Sequence, residues 1–263
     1  MVAVYAFNRA IVRRPARSAV LGLRSVDRGV PDVDALGEEH AAYIAALETL
    51  GVTVEVLPPL EEFPDSVFVE DPALVFSEGA ILLRPGAPSR IGETAEIAPA
   101  LRAAFGDVLD LPAPGFADGG DVLVMPEAVL IGLSARTDAT GAADLVGRLE
   151  RLGRRGRVVT PPAGVLHLKT GCSLLDDETM LATPVMAAAG LFPGFRIVET
   201  APGEEAAANA LRVNDAVLLG AGFPRTAERL TDLDFTVVTV KIDEVMKLDA
   251  GLSCMSLRWW AEA

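Results

Sequence analysis

Two histidines and two cysteines are the chain's whole stock of thiol nucleophiles and imidazole acid–base groups. His40 lies in Glu38-Glu39-His40-Ala41-Ala42-Tyr43, a helical run beside acids, and reads as surface-side. His167 lies in Gly164-Val165-Leu166-His167-Leu168-Lys169, which reads as an apolar strand after a Pro-Pro turn. A lone histidine on a strand is more often a satisfied core residue than a catalyst. Cys254, in Asp249-Ala250-Gly251-Leu252-Ser253-Cys254-Met255, has the same bland alternative, because a buried cysteine packs as a small hydrophobe. The pair says more than either member. One thiol and one imidazole beside glycine-containing turns are the minimum set for thiol nucleophilic catalysis. Cys172 follows His167 in the same hairpin, points to the opposite face as a strand residue, and reads as core. With no C-x-x-C, no H-x-x-x-H and no third soft ligand, no metal site is expected.

Two acidic clusters accompany these groups. Asp118-Gly119-Gly120-Asp121 has glycines that allow close backbone approach, which places Asp118 at the mouth of a channel; a capped turn is the plain alternative. Pro64-Asp65-Ser66-Val67-Phe68-Val69-Glu70-Asp71-Pro72 sets three carboxylates among Val and Phe. Read as a strand, it puts Asp65, Val67, Val69 and Asp71 on one face and Glu70 on the other. Carboxylates so placed are costly without a cationic partner.

These groups need a scaffold, and the sequence repeats one. Apolar run, polar turn and apolar run recur at 73–83, 121–131, 172–182 and 209–219, each a predicted β-hairpin. Helical spacing over 93–105, 138–152 and 225–233 leads to β-rich runs at 108–111, 157–159 and 235–240. Near the start, a helix over 34–50 leads to 52–56. The unit is strand, strand, helix, strand. A fifth copy can form from a C-terminal strand around Cys254 and an N-terminal strand around 9–13. Five units that cannot bury their own faces predict an α/β propeller with pseudo-fivefold symmetry around a channel, as one domain spanning 1–263. An open α+β sandwich is the alternative.

Composition narrows the function. The 263 residues are 51% apolar, which excludes a disordered chain, and carry a formal net charge of −14, which disfavours nucleic acid as a partner. Two distant cysteines do not make a disulfide framework, so a reducing compartment, the cytoplasm, is expected. The stretch 1–14, broken by Arg9, Arg13 and Arg14, reads as neither signal peptide nor anchor, and no apolar run is long enough to span a membrane.

The motifs at 64–71, 84–90 (Arg84-Pro85-Gly86-Ala87-Pro88-Ser89-Arg90), 118–123, 132–137 (Gly132-Leu133-Ser134-Ala135-Arg136-Thr137), 166–169 and 249–254 occur together and in order. The set, spread over roughly residues 20–258, closely resembles the dimethylarginine dimethylaminohydrolases of the pentein, or amidinotransferase, superfamily. That resemblance implies a five-bladed ββαβ propeller with its site in the central channel. It implies Cys254 as nucleophile, His167 as general acid and base, and Asp118 as the carboxylate orienting the histidine. It implies Asp71 on the substrate guanidinium, with Asp249 near the reactive carbon. Asp65 and the carbonyl of Leu23 would take the α-ammonium, and Arg90 and Arg136 the α-carboxylate. Glu70 belongs to the binding motif, either on substrate or supporting Asp71 or a mobile lid instead. The implied partner is a small cationic guanidino amino acid, with no cofactor and no metal, in a monomer or homodimer. Met255 stands where some relatives carry a second cysteine, and the tail Leu257-Arg258-Trp259-Trp260 fits none of the motifs. Hydrolases or amidinotransferases acting on arginine or other guanidines share the three catalytic groups, whereas a non-catalytic binding pentein lacks them.

Overall fold

A computed structural model describes residues 2–262. The chain builds the predicted unit five times. β1 (Arg9–Arg13) passes through α1 (Val33–Thr49) to the parallel strand β2 (Thr53–Leu57). β3 (Ala73–Phe76) and β4 (Gly79–Leu82) form a hairpin, and α2 (Glu93–Ala104) crosses to β5 (Val108–Asp110). The third unit is β6 (Val122–Val124), β7 (Val129–Gly132), α3 (Ala139–Arg151) and β8 (Gly156–Val159). The fourth is β9 (Cys172–Leu174), β10 (Thr179–Ala182), a short α4 (Pro184–Ala188) and β11 (Arg196–Glu199). The fifth is β12 (Leu211–Val213), β13 (Ala216–Gly220), α5 (Pro224–Thr231) and β14 (Thr236–Val240). After α6 (Asp243–Met246), β15 (Leu257–Trp259) pairs antiparallel with β1 and completes the first unit from the other end of the chain.

Every unit is thus a three-stranded sheet with one antiparallel and one parallel pair. The parallel pair forces a crossover, and the helix supplies it. Local chemistry sets the helix ends. Asp32 caps α1 by accepting from Asp34 N and Ala35 N at 2.9 and 3.1 Å, and Leu36, His40, Tyr43 and Leu47 form its buried stripe. His40 is therefore a core residue and not surface-side as expected: it lies one helical turn from Leu36 and Tyr43.

Three further expectations shift. The strand closing the ring is Leu257–Trp259, from the tail that matched no motif, while Cys254 lies just before it in a 3-10 turn, Leu252–Met255. His167 is not on a strand; it precedes the 3-10 turn Leu168–Thr170. Residues 61–72 are a chain of tight turns, with Phe68 N donating to Asp65 O and Asp71 N to Phe68 O, so the alternation assumed for a strand does not apply. No helix among the described residues is long and apolar enough to cross a membrane.

Candidate active site

Three turns from distant parts of the chain meet at the centre of the ring. Glu70 N donates to Cys254 O at 3.2 Å, Gly119 N to Asp71 O at 3.1 Å, and Gly120 N to the Asp71 carboxylate at 3.1 Å. The glycines between Asp118 and Asp121 make this possible. A Cβ on Gly119 would lie 1.9 Å from the Glu70 carbonyl oxygen, and one on Gly120 would lie 2.7 Å from His167 Nδ1.

Asp118 is fully buried. Its Oδ2 lies 3.1 Å from His167 Nε2, its Oδ1 accepts from Gly86 N at 2.7 Å, and Arg136 stands 3.8 Å away. Asp121 went unassigned in the sequence but organises the same corner. It accepts from Leu168 N at 2.9 Å, Ser134 Oγ at 2.6 Å and Thr137 Oγ1 at 2.8 Å, fixing the turn after His167 and the turn that carries Arg136. Burial opposes charge on His167, but the Asp118 hydrogen bond and the charges of Asp71, Asp121 and Asp118 outweigh it and raise its pKa. The site therefore favours the protonated imidazole more than water does.

A cavity of about 150 Å³ opens in front of these groups, lined by Cys254, His167, Asp65, Asp71, Arg90 and Arg136, with Leu23 and Asp249 on its outer wall. Cys254 is half-buried at its edge. Enclosure, then the nearby carboxylates of Glu70 and Asp71, push its thiol up to about 12. The Cys254 turn is held from the side by Asn209, whose Oδ1 accepts from Ser253 N at 3.1 Å. Cys172 is completely buried in the core behind His167, with its thiol also raised to about 12 by burial.

The remaining expected residues divide by what they touch. The cationic partner that the 64–72 cluster demanded is Arg90, buried and ion-paired with Asp71 and, at 2.7 Å, with Glu93. Arg90 also donates from Nε to the other Glu93 oxygen at 3.0 Å and from Nη2 to the Phe68 carbonyl at 2.9 Å. These bonds leave one guanidinium hydrogen of five for a ligand. Burial would push the Asp71 carboxyl up, but Arg90 and His167 hold it below its ordinary value. Arg136, half-buried, has only the long contact to Asp118 and is the freer cation. Asp65 Oδ1 accepts from Leu23 N at 2.9 Å, tying the outer loop to the floor.

Two carboxylates are otherwise engaged than expected. Asp249 accepts from Ser25 N, from Ser25 Oγ at 2.7 Å and from Val26 N at 3.4 Å, and pairs with Arg28 at 2.7 Å. It fastens the outer loop instead of presenting free oxygens to the reactive carbon. Glu70 does not line this cavity. Its turn sends it to the opposite side from Asp71, where it binds Lys169 at 2.6 Å, Ser253 Oγ at 3.0 Å and Arg258 at 3.3 Å. Lys169, Ser253, Arg258 and Asn209 were invisible in the sequence as site residues. Each earns its place through a contact far along the chain; nearness to His167 or Cys254 hinted at Lys169, Ser253 and Arg258, and no sequence signal pointed to Asn209. Asp71, Asp118 and His167 offer ligand atoms within 4.8 Å of one another, but Arg90 and Arg136 already stand against those carboxylates.

Residues 58–217 match the family model for arginine deiminase. The chain is 44% identical to the N(G),N(G)-dimethylarginine dimethylaminohydrolase of Pseudomonas aeruginosa, over 96% of this chain and 100% of that one. A solved structure of a cysteine-to-serine variant of the Pseudomonas aeruginosa enzyme, complexed with citrulline, superposes with a TM-score of 0.93, covering 97% of this chain and 100% of that one at 44% identity. A histidine-to-glycine variant of a dimethylarginine dimethylaminohydrolase, solved as an adduct with S-methyl-L-thiocitrulline, gives the same TM-score of 0.93, covering 96% of this chain and 99% of that one at 44% identity.

Proposed function

The chain belongs to the arginine deiminase family, among its dimethylarginine dimethylaminohydrolases, and on that premise we propose that it hydrolyses Nω-methylated arginine to citrulline and dimethylamine or methylamine. The observation that carries this reading is one cavity whose walls bring together a thiol, a carboxylate-backed imidazole, Asp71 and the freer cation Arg136. A substrate that carries both a guanidinium and an α-carboxylate finds an opposite charge for each on those walls.

The guanidinium is planar and a poor electrophile while its charge is delocalised. Asp71 would hold it in register through charge-assisted hydrogen bonds. Arg136, with the remaining donor of Arg90, would take the α-carboxylate, and Asp65 with the Leu23 carbonyl the α-ammonium. The bound cation favours ionisation of Cys254, opposing the two carboxylates that raise its thiol. The thiolate attacks the guanidinium carbon and the C–S bond forms. His167 gives its proton to the departing amine as the C–N bond breaks, leaving an S-alkylthiouronium on Cys254. The neutral imidazole then takes a proton from water, hydroxide adds to the same carbon, and C–S cleavage returns the thiolate and citrulline. Asp118 keeps His167 oriented through both transfers. No step requires a metal or organic cofactor. The whole chain would act as one catalytic domain, in a monomer or homodimer, in the cytoplasm, where reducing conditions keep the thiol free.

The test separates the two thiols. Cys254→Ser should lose nearly all citrulline production, and Cys172→Ser should retain most of it. Acid-quenched wild-type protein should carry an amidino-amino-acid fragment on the Cys254 peptide by intact mass. An active Cys254→Ser variant, or an adduct on Cys172, refutes the mechanism; arginine turned over faster than its methylated forms refutes the substrate.

A further inference from the structure

The channel has a second mouth. Behind Cys254, Glu70 receives Lys169 Nζ and Arg258 Nη2 on one oxygen and Ser253 Oγ on the other, which makes a polar partition across the ring. Asp71 and Cys254 face the substrate cavity, and their chain neighbours Glu70 and Ser253 face a separate cavity of about 180 Å³ on the far side.

The charge of that far cavity is opposite to the chain's. Four bases line it, Lys169, Arg154, Arg212 and Arg258, against one acid, Glu70, in a protein with a net charge of −14. Arg154 is neutralised by Glu78 at 2.8 Å. Lys169 and Arg258 share the single carboxylate of Glu70. Arg212 has no carboxylate partner among the described residues; its Nε donates to the Asn214 carbonyl at 2.7 Å, and its guanidinium stacks over Tyr5 and Phe235. Two positive charges therefore stand without an ion-paired carboxylate of their own, with Asp176 and Asp177 acting only at longer range on the Tyr5 that Arg212 covers. Two buried polar atoms of lining residues, Ser173 Oγ and Arg258 Nε, also lack a partner. Unpaired buried donors and surplus cations are expensive alone and are relieved by an anion.

We propose that the far mouth of the channel is a second binding site, for a small organic carboxylate with an apolar body, and that its occupant reduces the reactivity of Cys254 across the Glu70 partition. The apolar walls, which include Leu123, Leu174 and Leu211, take the body, and the surplus cations take the carboxylate. The coupling follows from sign. The Lys169 ammonium favours the Cys254 thiolate and Glu70 disfavours it, so a further anion beside Lys169 offsets a cation that helps ionisation. The site stands independently of which guanidine the enzyme hydrolyses.

Benzoate is a suitable probe, with benzyl alcohol as its uncharged counterpart, by calorimetry on the full chain at fixed ionic strength. Benzoate should bind one per chain and benzyl alcohol should bind at least about tenfold more weakly, the loss of one charge-assisted contact. Arg212→Gln should weaken benzoate by a similar factor with unchanged basal turnover, and Arg136→Gln should leave benzoate binding as it was. In a Cys172→Ser background, bound benzoate should slow iodoacetamide alkylation of Cys254 by about threefold, as an upward pKa shift of half a unit would. Absence of binding, equal binding of the alcohol, indifference to Arg212→Gln, or competition with methylarginine for the Arg136 pocket would each overturn the site. Unchanged alkylation with the site filled would overturn the coupling.

Discussion

On the proposed mechanism, the state of the Cys254 thiol before substrate arrives decides how the reaction can start. Enclosure and the carboxylates of Glu70 and Asp71 raise it to about 12 in the free protein. The fold of the free protein therefore favours the thiol form of Cys254 over a resting thiolate–imidazolium pair. A bound guanidinium changes this. At a separation of about 4 Å and an effective dielectric of about 20, a unit positive charge favours the thiolate by about 4 kcal/mol. That lowers the pKa by about three units, toward ~9. On the proposed mechanism the substrate would thus supply most of the activation of Cys254. The measurement is the ultraviolet absorbance of the thiolate against pH, in a Cys172→Ser background so that only Cys254 reports. The free protein should keep ionising well above the ordinary thiol value of about 8.5. With methylarginine held on the His167→Gln variant, which lacks the proton donor, the midpoint should move down by two to three units, about 3–4 kcal/mol. A free-protein midpoint below the ordinary value, or a ligand-induced shift smaller than about one unit, would refute the reasoning.

Three other outcomes follow from named contacts. Arg136→Gln should raise KM for methylarginine by about tenfold or more with a smaller change in kcat, and agmatine, which has no carboxylate, should be a far poorer substrate of the wild type; equal use of agmatine removes the carboxylate role. Gly120→Ala places a Cβ 2.7 Å from His167 Nδ1 and 3.0 Å from Asp71 Oδ1, so kcat should fall by about a hundredfold while the protein still folds, as read by steady-state kinetics beside circular dichroism; kcat within a few-fold of wild type contradicts the packing. Burial, aided by the Arg14 charge, lowers His40 to about 4. The neutral form is the one the fold favours, so its contribution is full above the unfolded value near 6.5 and is lost as pH falls from there to about 4. The loss amounts to about 3 kcal/mol, and urea unfolding of His40→Gln should be flatter over that window than wild type.

The architecture was legible because it is local and repeated. Each hairpin shows as two apolar runs around a polar turn, and α1, α2, α3 and α5 fall within two residues of the helical runs that the spacing predicts. The fourth unit was harder: α4 is one turn long and leaves no period to read. The site was legible only as a set of residue types. Residues 64–72 alternate like a strand, but Arg90 draws the Phe68 carbonyl and the Asp71 carboxylate inward, and a chain of turns results. That turn geometry, and not a pleat, separates Glu70 from Asp71. The partners that give Glu70 its place, Ser253 and Arg258, lie 183 and 188 residues away, beyond any local pattern.

The C-terminal strand joins the two scales. β15 completes the first blade by pairing with β1, and Trp259 within it packs on Phe105 at 4.9 Å. Between them, Arg258 turns inward and donates to Ser253 O at 3.1 Å and Ser256 O at 2.7 Å, the two carbonyls that bracket the Cys254 turn, while also pairing with Glu70. The residue that ends the ring therefore fixes the backbone of the Cys254 turn. That turn lies next to the closing strand, so the hydrogen bonds it receives from Arg258 depend on β15 pairing with β1. Fraying of β15 should for that reason cost turnover before it costs the remaining four sheets, whose strands pair without it.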